Sequence, residues 1–207
     1  MIEQMSVMRD LPIFPLGTVL FPGGSLPLRI FEARYMDMAR ECLKQESAFG
    51  VCLILKGSEV GKAAQHEQTG CLARITDWDM EQLGMLHLRT QGTQRFSIAS
   101  SRVQADGLIR ADVIVLEPDL EEPIPEQFQA CVKLLERIVH DLVEKEPSQI
   151  QRMICEPYLF DSAGWVSNRL AEFLPISTKA KQKLMELPDP VARLEIVHQY
   201  LEQHRVI

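Results

Sequence analysis

Prolines and glycines interrupt the apolar residues of the segment 11–35, and this pattern limits what its backbone can form. The segment holds four prolines and three glycines among short apolar runs. Because proline fixes φ and has no N–H to donate, it is poorly tolerated in the middle of a hydrogen-bonded ladder. We therefore expect short extended pieces, with turns at Leu16–Gly17 and at Pro22–Gly24. A helix is predicted to begin where the prolines stop, near Phe31.

The residues after this segment are predicted to form one helix and then a set of strands. Apolar residues recur at helical spacing over Phe31–Lys44, and Phe49–Lys56 reads as a buried strand followed by a polar loop to Gly70. Further strands are predicted over Cys71–Met80, Met85–Gln91, Arg95–Val103 and Leu108–Leu116, with turns at Gly84, Gly92 and Asp106–Gly107. Strands at this spacing favour an antiparallel barrel or sandwich.

The composition changes at residues 117–125, which are acidic and rich in proline. This stretch is the best candidate for a linker, and it predicts two domains, over 1–118 and 119–207. Beyond it the apolar spacing is helical throughout, so the second domain is predicted to be a small helical bundle. Its helices are predicted to begin at the caps Asp161 or Ser162, Ser177 or Thr178, and Asp189, with a further short helix opening at Ser148.

The charge and the cysteines narrow the classes of partner and compartment. The net charge is −7, divided as −2 over 1–118 and −5 over 119–207. An acidic chain argues against nucleic acid as a partner, because binding to phosphates depends on Lys and Arg. No apolar run approaches the roughly 18 residues of a membrane span. The five cysteines form no C-x-x-C pair, which favours reduced, buried thiols and a cytoplasmic location.

No complete catalytic or metal-binding motif is present in the sequence. Gly57–Lys62 is similar to a phosphate-binding loop, but it has three residues between its glycines and an alanine where the Mg²⁺-binding hydroxyl belongs. His66–Glu67 begins a zinc-protease pattern whose second histidine is replaced by Gly70. We therefore expect no metal, no cofactor and no enzymatic activity.

The N-terminal segment resembles the opening signature of the Lon protease substrate-binding domain family. That signature combines a leucine-proline-aromatic-proline-leucine run, a valine-leucine-phenylalanine-proline-glycine run and a late glutamate-x-arginine-tyrosine motif. The matching residues are Leu11, Pro12, Phe14, Pro15, Leu16, Val19, Leu20, Phe21, Pro22, Gly23, Leu26, Pro27, Leu28, Ile30, Phe31, Glu32, Arg34 and Tyr35. Weaker matches at Gly70–Ile75, Gly92–Phe96 and Leu174–Pro175 extend the resemblance over nearly the whole chain.

The resemblance implies an α+β fold, with an N-terminal PUA-like antiparallel β pseudobarrel that includes one helix, followed by a C-terminal helical bundle. It implies a recognition protein that binds polypeptide segments or a protein partner. The ATPase and peptidase modules of the full protease are not expected here. Two alternatives stay open: an enzyme with a site at the domain junction, and an RNA binder that uses the barrel face.

Five residues are the candidates for contacts with a polypeptide ligand: Phe21, Arg29, Arg34, Trp78 and Trp165. Arg34 also has a local explanation, because Glu32 and Asp37 are close enough in sequence to pair with it. Trp165 lies at the start of a predicted helix, where a role in the core or between domains is also open. Trp78 is flanked by Asp77 and Asp79 in a predicted strand, so we expect it to be half exposed.

Overall fold

The computed structural model describes residues 6–145 and 153–207. Within them the chain forms seven strands, one long helix between the second and third strands, and four helices after the last strand. The strands are β1 (Val7–Leu16), β2 (Ser25–Ile30), β3 (Phe49–Lys56), β4 (Gln65–His66), β5 (Thr69–Gln82), β6 (Met85–Val103) and β7 (Ile109–Val115). The helices are α1 (Ala33–Gln45), α2 (Gln129–Lys145), α3 (Ala163–Phe173), α4 (Thr178–Glu186) and α5 (Pro190–Gln203). The predicted α+β class is confirmed.

The strand pairings form a closed circuit. The circuit runs from β1 to β7, β6, β5 and β3, and then back to β1. Its pairings are antiparallel except for β1 with β3, which run parallel from the pair Ile13 and Gly50 to the pair Leu16 and Leu53. The expectation of a purely antiparallel sheet is therefore corrected. The reason is the crossover: parallel neighbours need a long connection, and β2 with α1 supplies it.

β1 is a single ten-residue strand that includes Pro12 and Pro15. The expected break into short pieces is wrong before residue 16, because the strand changes partner along its length. Pro12 stands opposite Arg110 of β7, and Pro15 stands opposite Cys52 of β3. Neither proline donates to a ladder, but each still offers its carbonyl group.

β6 runs without interruption through Gly92, where the sequence pattern predicts a turn. A Cβ atom on residue 92 would overlap the backbone carbonyl oxygen of Phe21. Glycine is therefore required here because another part of the backbone approaches closely, not because the chain reverses. Residues 85–103 form one long strand that pairs with β5 and then with β7.

Both faces of β3 are buried, which explains its unbroken apolar sequence. Phe49 and Val51 belong to a core cluster that includes Tyr35, Met38 and Cys42 of α1. Cys52 belongs to a second cluster with Ile13 and Phe96. The predicted bounds of β3 are confirmed, and α1 begins two residues later than predicted, which leaves Phe31 exposed.

The helices α3, α4 and α5 begin at caps that the sequence indicates. Ser162 Oγ accepts from the amide of Trp165, and Ser177 Oγ accepts from the amide of Ala180. Asp189 accepts from the amide of Ala192, and Pro190 takes the first helical position. The short helix expected from Ser148 lies outside the described residues.

By the density of their internal contacts the described residues form two compact units. The β unit comprises the described residues up to Pro22 together with Leu26–Glu117, and the helical unit comprises Gly23–Ser25 together with the described residues from Pro118 to Ile207. In the helical unit α3 packs against α5, α2 and α4. None of the helices described combines the length and the hydropathy needed to cross a lipid bilayer.

Candidate functional site

β5 and β6 form a hairpin that ends in a two-residue turn. Gln82 pairs with Met85, and Leu83 and Gly84 lie between them. Gly84 has a φ of 86°, a left-handed conformation that glycine adopts without strain. The turn fixes the Gln82–Met85 pair, and a register shift between Asp79 and Gln82 then sets the pairs further along the hairpin.

The end of the hairpin carries exposed apolar side chains. Trp78 stands opposite Leu88, and residues opposite each other share a face of the sheet. Leu88 is buried, whereas Trp78 is 55% exposed and Met80, two residues further along the same face, is 41% exposed. Leu83 at the turn is fully exposed. We refer to Trp78, Met80 and Leu83 as the hairpin patch.

The other face of the hairpin is polar. Arg89 forms an ion pair with Asp77 directly opposite, and Asp79 stands opposite His87. Thr76 Oγ1 donates to the carbonyl of Arg89 over 3.1 Å. The hairpin therefore presents one charged face and one face that changes from core to exposed apolar surface. Exposed apolar side chains that adjoin each other are typical of interaction sites.

Arg34 has its guanidinium buried, with both Nη atoms hydrogen-bonded within the β unit. Its Nη1 donates to the carbonyl of Gly107, and its Nη2 donates to Glu32 Oε2, each over 3.0 Å. The group lies 4.5 Å from the centre of the Tyr35 ring. Burial raises the pKa of Tyr35 to about 12, against the opposing effect of the Arg34 charge. The expected pairing with Glu32 is confirmed, whereas Asp37 pairs with Arg40 instead.

Phe21 and Arg29 lie in contrasting environments. Phe21 is 0% exposed, so its side chain offers no surface to a ligand in this conformation. Arg29 is exposed on β2, between the buried residues Leu28 and Ile30. A ligand contact by either residue stays a prediction.

Trp165 lies in the first turn of α3, within the helical unit, and is 7% exposed. Its ring contacts Phe160 edge to face at 5.3 Å between centroids, and Tyr158 at 6.2 Å. Trp165 and Trp78 belong to different units. The five candidates therefore comprise two residues with exposed side chains, Arg29 and Trp78, and three that are buried.

In the loop Gly57–Lys62 one backbone amide donates to a carboxylate, and the loop's own Glu59 carboxylate accepts from an amide outside the loop. Gly17 N donates to Glu59 Oε1 over 2.7 Å, and Gly61 N donates to Glu32 Oε2 over 3.3 Å. No helix begins in residues 57–64, which the structure describes in full. A phosphate would meet negative charge here instead of a helix N-terminus.

Metal-binding and redox chemistry find little support among the described residues. Within 6–145 and 153–207 no three His, Cys, Asp or Glu side chains are grouped as metal ligands. All five cysteines are free, and Cys42, Cys52, Cys71 and Cys131 are buried. Burial raises the pKa of the Cys131 thiol to about 11, which lowers its reactivity.

Sequence reasoning missed the partners of Trp78 in the hairpin patch and the aromatic neighbours of Trp165. Met80 follows Trp78 at a spacing of two within a strand, which is the signal that both side chains share a face. Tyr158 and Phe160 precede the predicted helix cap at the same spacing. The expected half-exposed position of Trp78 is confirmed, whereas the partial exposure of Tyr158 and Phe160 could not be predicted from the sequence.

Comparisons with known proteins agree with this architecture. A sequence model of the ATP-dependent protease La (LON) substrate-binding domain matches residues 10–203. The chain is 28% identical over 182 residues to Lon protease 1 of Bdellovibrio bacteriovorus. The matched region covers 86% of this chain and 22% of that protease. Its fold is similar to the crystal structure of the Lon N-terminal domain protein from Xanthomonas campestris, with a TM-score of 0.75 and 36% identity over 93% of this chain and 99% of that one.

A second solved structure extends the likeness in fold. The N-terminal domain of the Mycobacterium avium complex Lon protease has a TM-score of 0.61 and 16% identity, over 95% of this chain and 100% of that one. The chain spans about a quarter of the length of the Lon proteases it matches (22% to 25%). The family model covers nearly all of the β unit and nearly all of the helical unit. The chain therefore belongs to the family of the Lon protease substrate-binding domain.

Proposed function

We propose that this chain is a recognition protein that binds polypeptide segments, and that the hairpin patch is its main contact surface. The observation that carries the proposal is Trp78, a large aromatic side chain that is 55% exposed beside Met80 on one face of a hairpin. Trp and Met are adaptable apolar contacts and are common at the centres of interfaces. This chain matches the substrate-binding domain of the Lon proteases. We therefore propose recognition instead of catalysis.

The fold supports this role because both strands of the hairpin continue into the paired strands of the β unit. We infer that the β unit is a PUA-like pseudobarrel, because its strand pairings return to the starting strand. We infer that the helices from 129 to 203 form a bundle, because α3 packs against three neighbouring helices. Residues 1–118 and 119–207 are proposed as two domains, and the free cysteines support a cytoplasmic location.

Binding of an unfolded protein tests the role of the patch. The probe is a fluorescein-labelled protein kept unfolded by reduction and carboxymethylation, and the readout is fluorescence anisotropy. We expect Trp78→Ala to raise the Kd about five-fold or more, since a central aromatic contact contributes more than about 1 kcal/mol. Met80→Ser is expected to act in the same direction with a smaller effect.

Phe31→Ala is the matched control. Phe31 is 54% exposed, nearly the same as Trp78, but lies before α1 and outside the hairpin. Its removal is expected to leave the Kd unchanged. Equal Kd values for the unchanged chain and the Trp78→Ala variant would refute the hairpin patch as the contact surface. A gel shift with structured RNA that weakens with salt would instead support the nucleic-acid alternative.

A further inference from the structure

The segment before α3 carries a second exposed apolar surface, on the helical unit. Tyr158, Phe160 and Trp165 form a cluster with ring centroids 5.3 to 6.2 Å apart. Trp165 lies at the base of this cluster, and Tyr158 and Phe160 are partly exposed. Leu159 between them is 43% exposed. We refer to Tyr158, Leu159 and Phe160 as the aromatic surface.

The aromatic surface is held in place by backbone hydrogen bonds on its C-terminal side. Ser162 N donates to the carbonyl of Leu159 over 3.1 Å, and Ser162 Oγ accepts from Trp165 N over 3.2 Å. Ser162 also pairs with Pro123 in an isolated bridge, and the amide of Ala163 donates to the carbonyl of Glu122. These contacts restrict the backbone on the C-terminal side of the surface, which lowers the entropic cost of binding.

Negative charge surrounds the aromatic surface. Exposed Glu156 and Asp161 stand on either side of it in sequence, and residues 153–163 contain no Lys or Arg. Residues 118–125, part of which runs beside Ser162 and Ala163, carry Glu121 and Glu122 and no base, while Asp119 in the same stretch is paired with Arg193. The pKa of Tyr158 is raised by burial first and then by the Glu156 carboxylate, which agrees with a negative potential at the ring.

We propose that the aromatic surface binds extended polypeptide segments in which Lys or Arg alternate with apolar residues. The negative faces of the Tyr158 and Phe160 rings attract cations, and Glu156 and Asp161 add charge at both ends. The aliphatic stems of Lys and Arg pack on apolar surface while their charged ends meet the carboxylates. The proposal goes beyond the hairpin patch, because it concerns another surface and a defined charge of the partner.

The two tryptophans allow each surface to be observed separately. The chain contains only Trp78 and Trp165. In a Trp78→Phe variant the emission comes from Trp165 alone, which contacts the aromatic surface. The probe is a basic 12-residue peptide in which Lys and Arg alternate with Leu and Phe. The control is an acidic peptide of the same sequence with Glu at each basic position. We expect the basic peptide to change the Trp165 emission, and the acidic peptide to leave it unchanged.

Neutral variants of the acids test the charge. Glu156→Gln with Asp161→Asn is expected to raise the Kd of the basic peptide about five-fold or more, and so is an increase from 50 to 500 mM salt. Glu136→Gln with Glu195→Gln is the matched control, because it removes two exposed acids elsewhere on the helical unit. This control is expected to leave the Kd within about two-fold, since neither residue belongs to the segment 153–163 that carries the aromatic surface.

Anisotropy of a labelled basic peptide gives the same Kd without relying on tryptophan. Tyr158→Ala is expected to raise the Kd of the basic peptide, and Leu159→Ser, at an exposed position, is the second apolar variant if Tyr158→Ala does not fold. Equal Kd values for the basic and acidic peptides, or no effect of Glu156→Gln with Asp161→Asn, would overturn the proposal. The proposal for the hairpin patch is refuted by a different result, namely an unchanged Kd for the unfolded protein in the Trp78→Ala variant.

Discussion

Arg193 binds both carboxylate oxygens of Asp119 inside the helical unit. Nη1 donates to Oδ2 over 2.6 Å and Nη2 donates to Oδ1 over 3.1 Å. Nε donates to the carbonyl of Leu184, and Nη2 also donates to the carbonyl of Leu187. One arginine on α5 therefore connects the predicted linker to the end of α4. Arg193 is 1% exposed, so all of this takes place away from water.

We expect Arg193→Leu to lower the free energy of unfolding by about 3 kcal/mol. Removing one partner of a buried ion pair leaves the other charge, here Asp119, without its main compensation. Urea unfolding followed by circular dichroism measures the change. Lys183→Ala is the control, because Lys183 pairs with Glu186 at the surface, and it is expected to cost less than about 0.5 kcal/mol. Equal losses for the two variants would contradict this account.

Glu172 makes the stability of the chain depend on pH. Burial raises its pKa to about 7, against the opposing charges of Arg169 and Lys181. Because the folded pKa lies above the unfolded value of 4.5, the folded state binds more protons between these two values. Stability therefore falls as the pH rises from about 4.5 to about 7.

Glu172→Gln is expected to remove this part of the pH dependence. The side chain keeps 20% exposure, so we expect the slope to account for about 1–2 kcal/mol between pH 5 and pH 8. Urea midpoints measured at several pH values check the prediction. A fall in stability between pH 5 and 8 that is as steep in Glu172→Gln as in the unchanged chain would show that another group is responsible.

Gly92→Ala is expected to destabilise the β unit more than Gly61→Ala, a substitution at a residue with positive φ. A Cβ at residue 92 overlaps the backbone of Phe21, which cannot move as a side chain can. We expect a loss of about 3 kcal/mol or more, or failure to fold. A Cβ at residue 61 meets no atom within 4 Å, so Gly61→Ala is strained only by the φ of 92°. We expect it to lower the free energy of unfolding by about 1 kcal/mol. Thermal unfolding of both variants compares the two causes.

Arg34→Ala separates a structural role from a ligand contact. The loss of two hydrogen bonds from a buried guanidinium is expected to lower the free energy of unfolding by about 2–3 kcal/mol. At a temperature where the variant stays folded, its Kd for the unfolded protein should equal that of the unchanged chain. A Kd that rises as much as in Trp78→Ala would instead identify Arg34 as a contact residue.

Local signals account for what the sequence predicted well. Ser162, Ser177 and Asp189 were expected at or beside helix starts, and each accepts a hydrogen bond from its own first turn. The strand Phe49–Lys56 has its predicted bounds. These features depend on neighbours within a few residues, so the order of residues is enough to find them.

By itself the sequence determined the family, the α+β class and the starts of α3, α4 and α5. Only the tertiary structure decided that Gly92 meets Phe21, that Arg34 and Arg193 are buried, and that Trp165 is covered. The physical reason is that burial depends on partners distant in the sequence, such as Gly107 for Arg34 and Asp119 for Arg193. A local pattern specifies which face a side chain occupies, whereas the packing of remote segments decides whether that face meets protein or water.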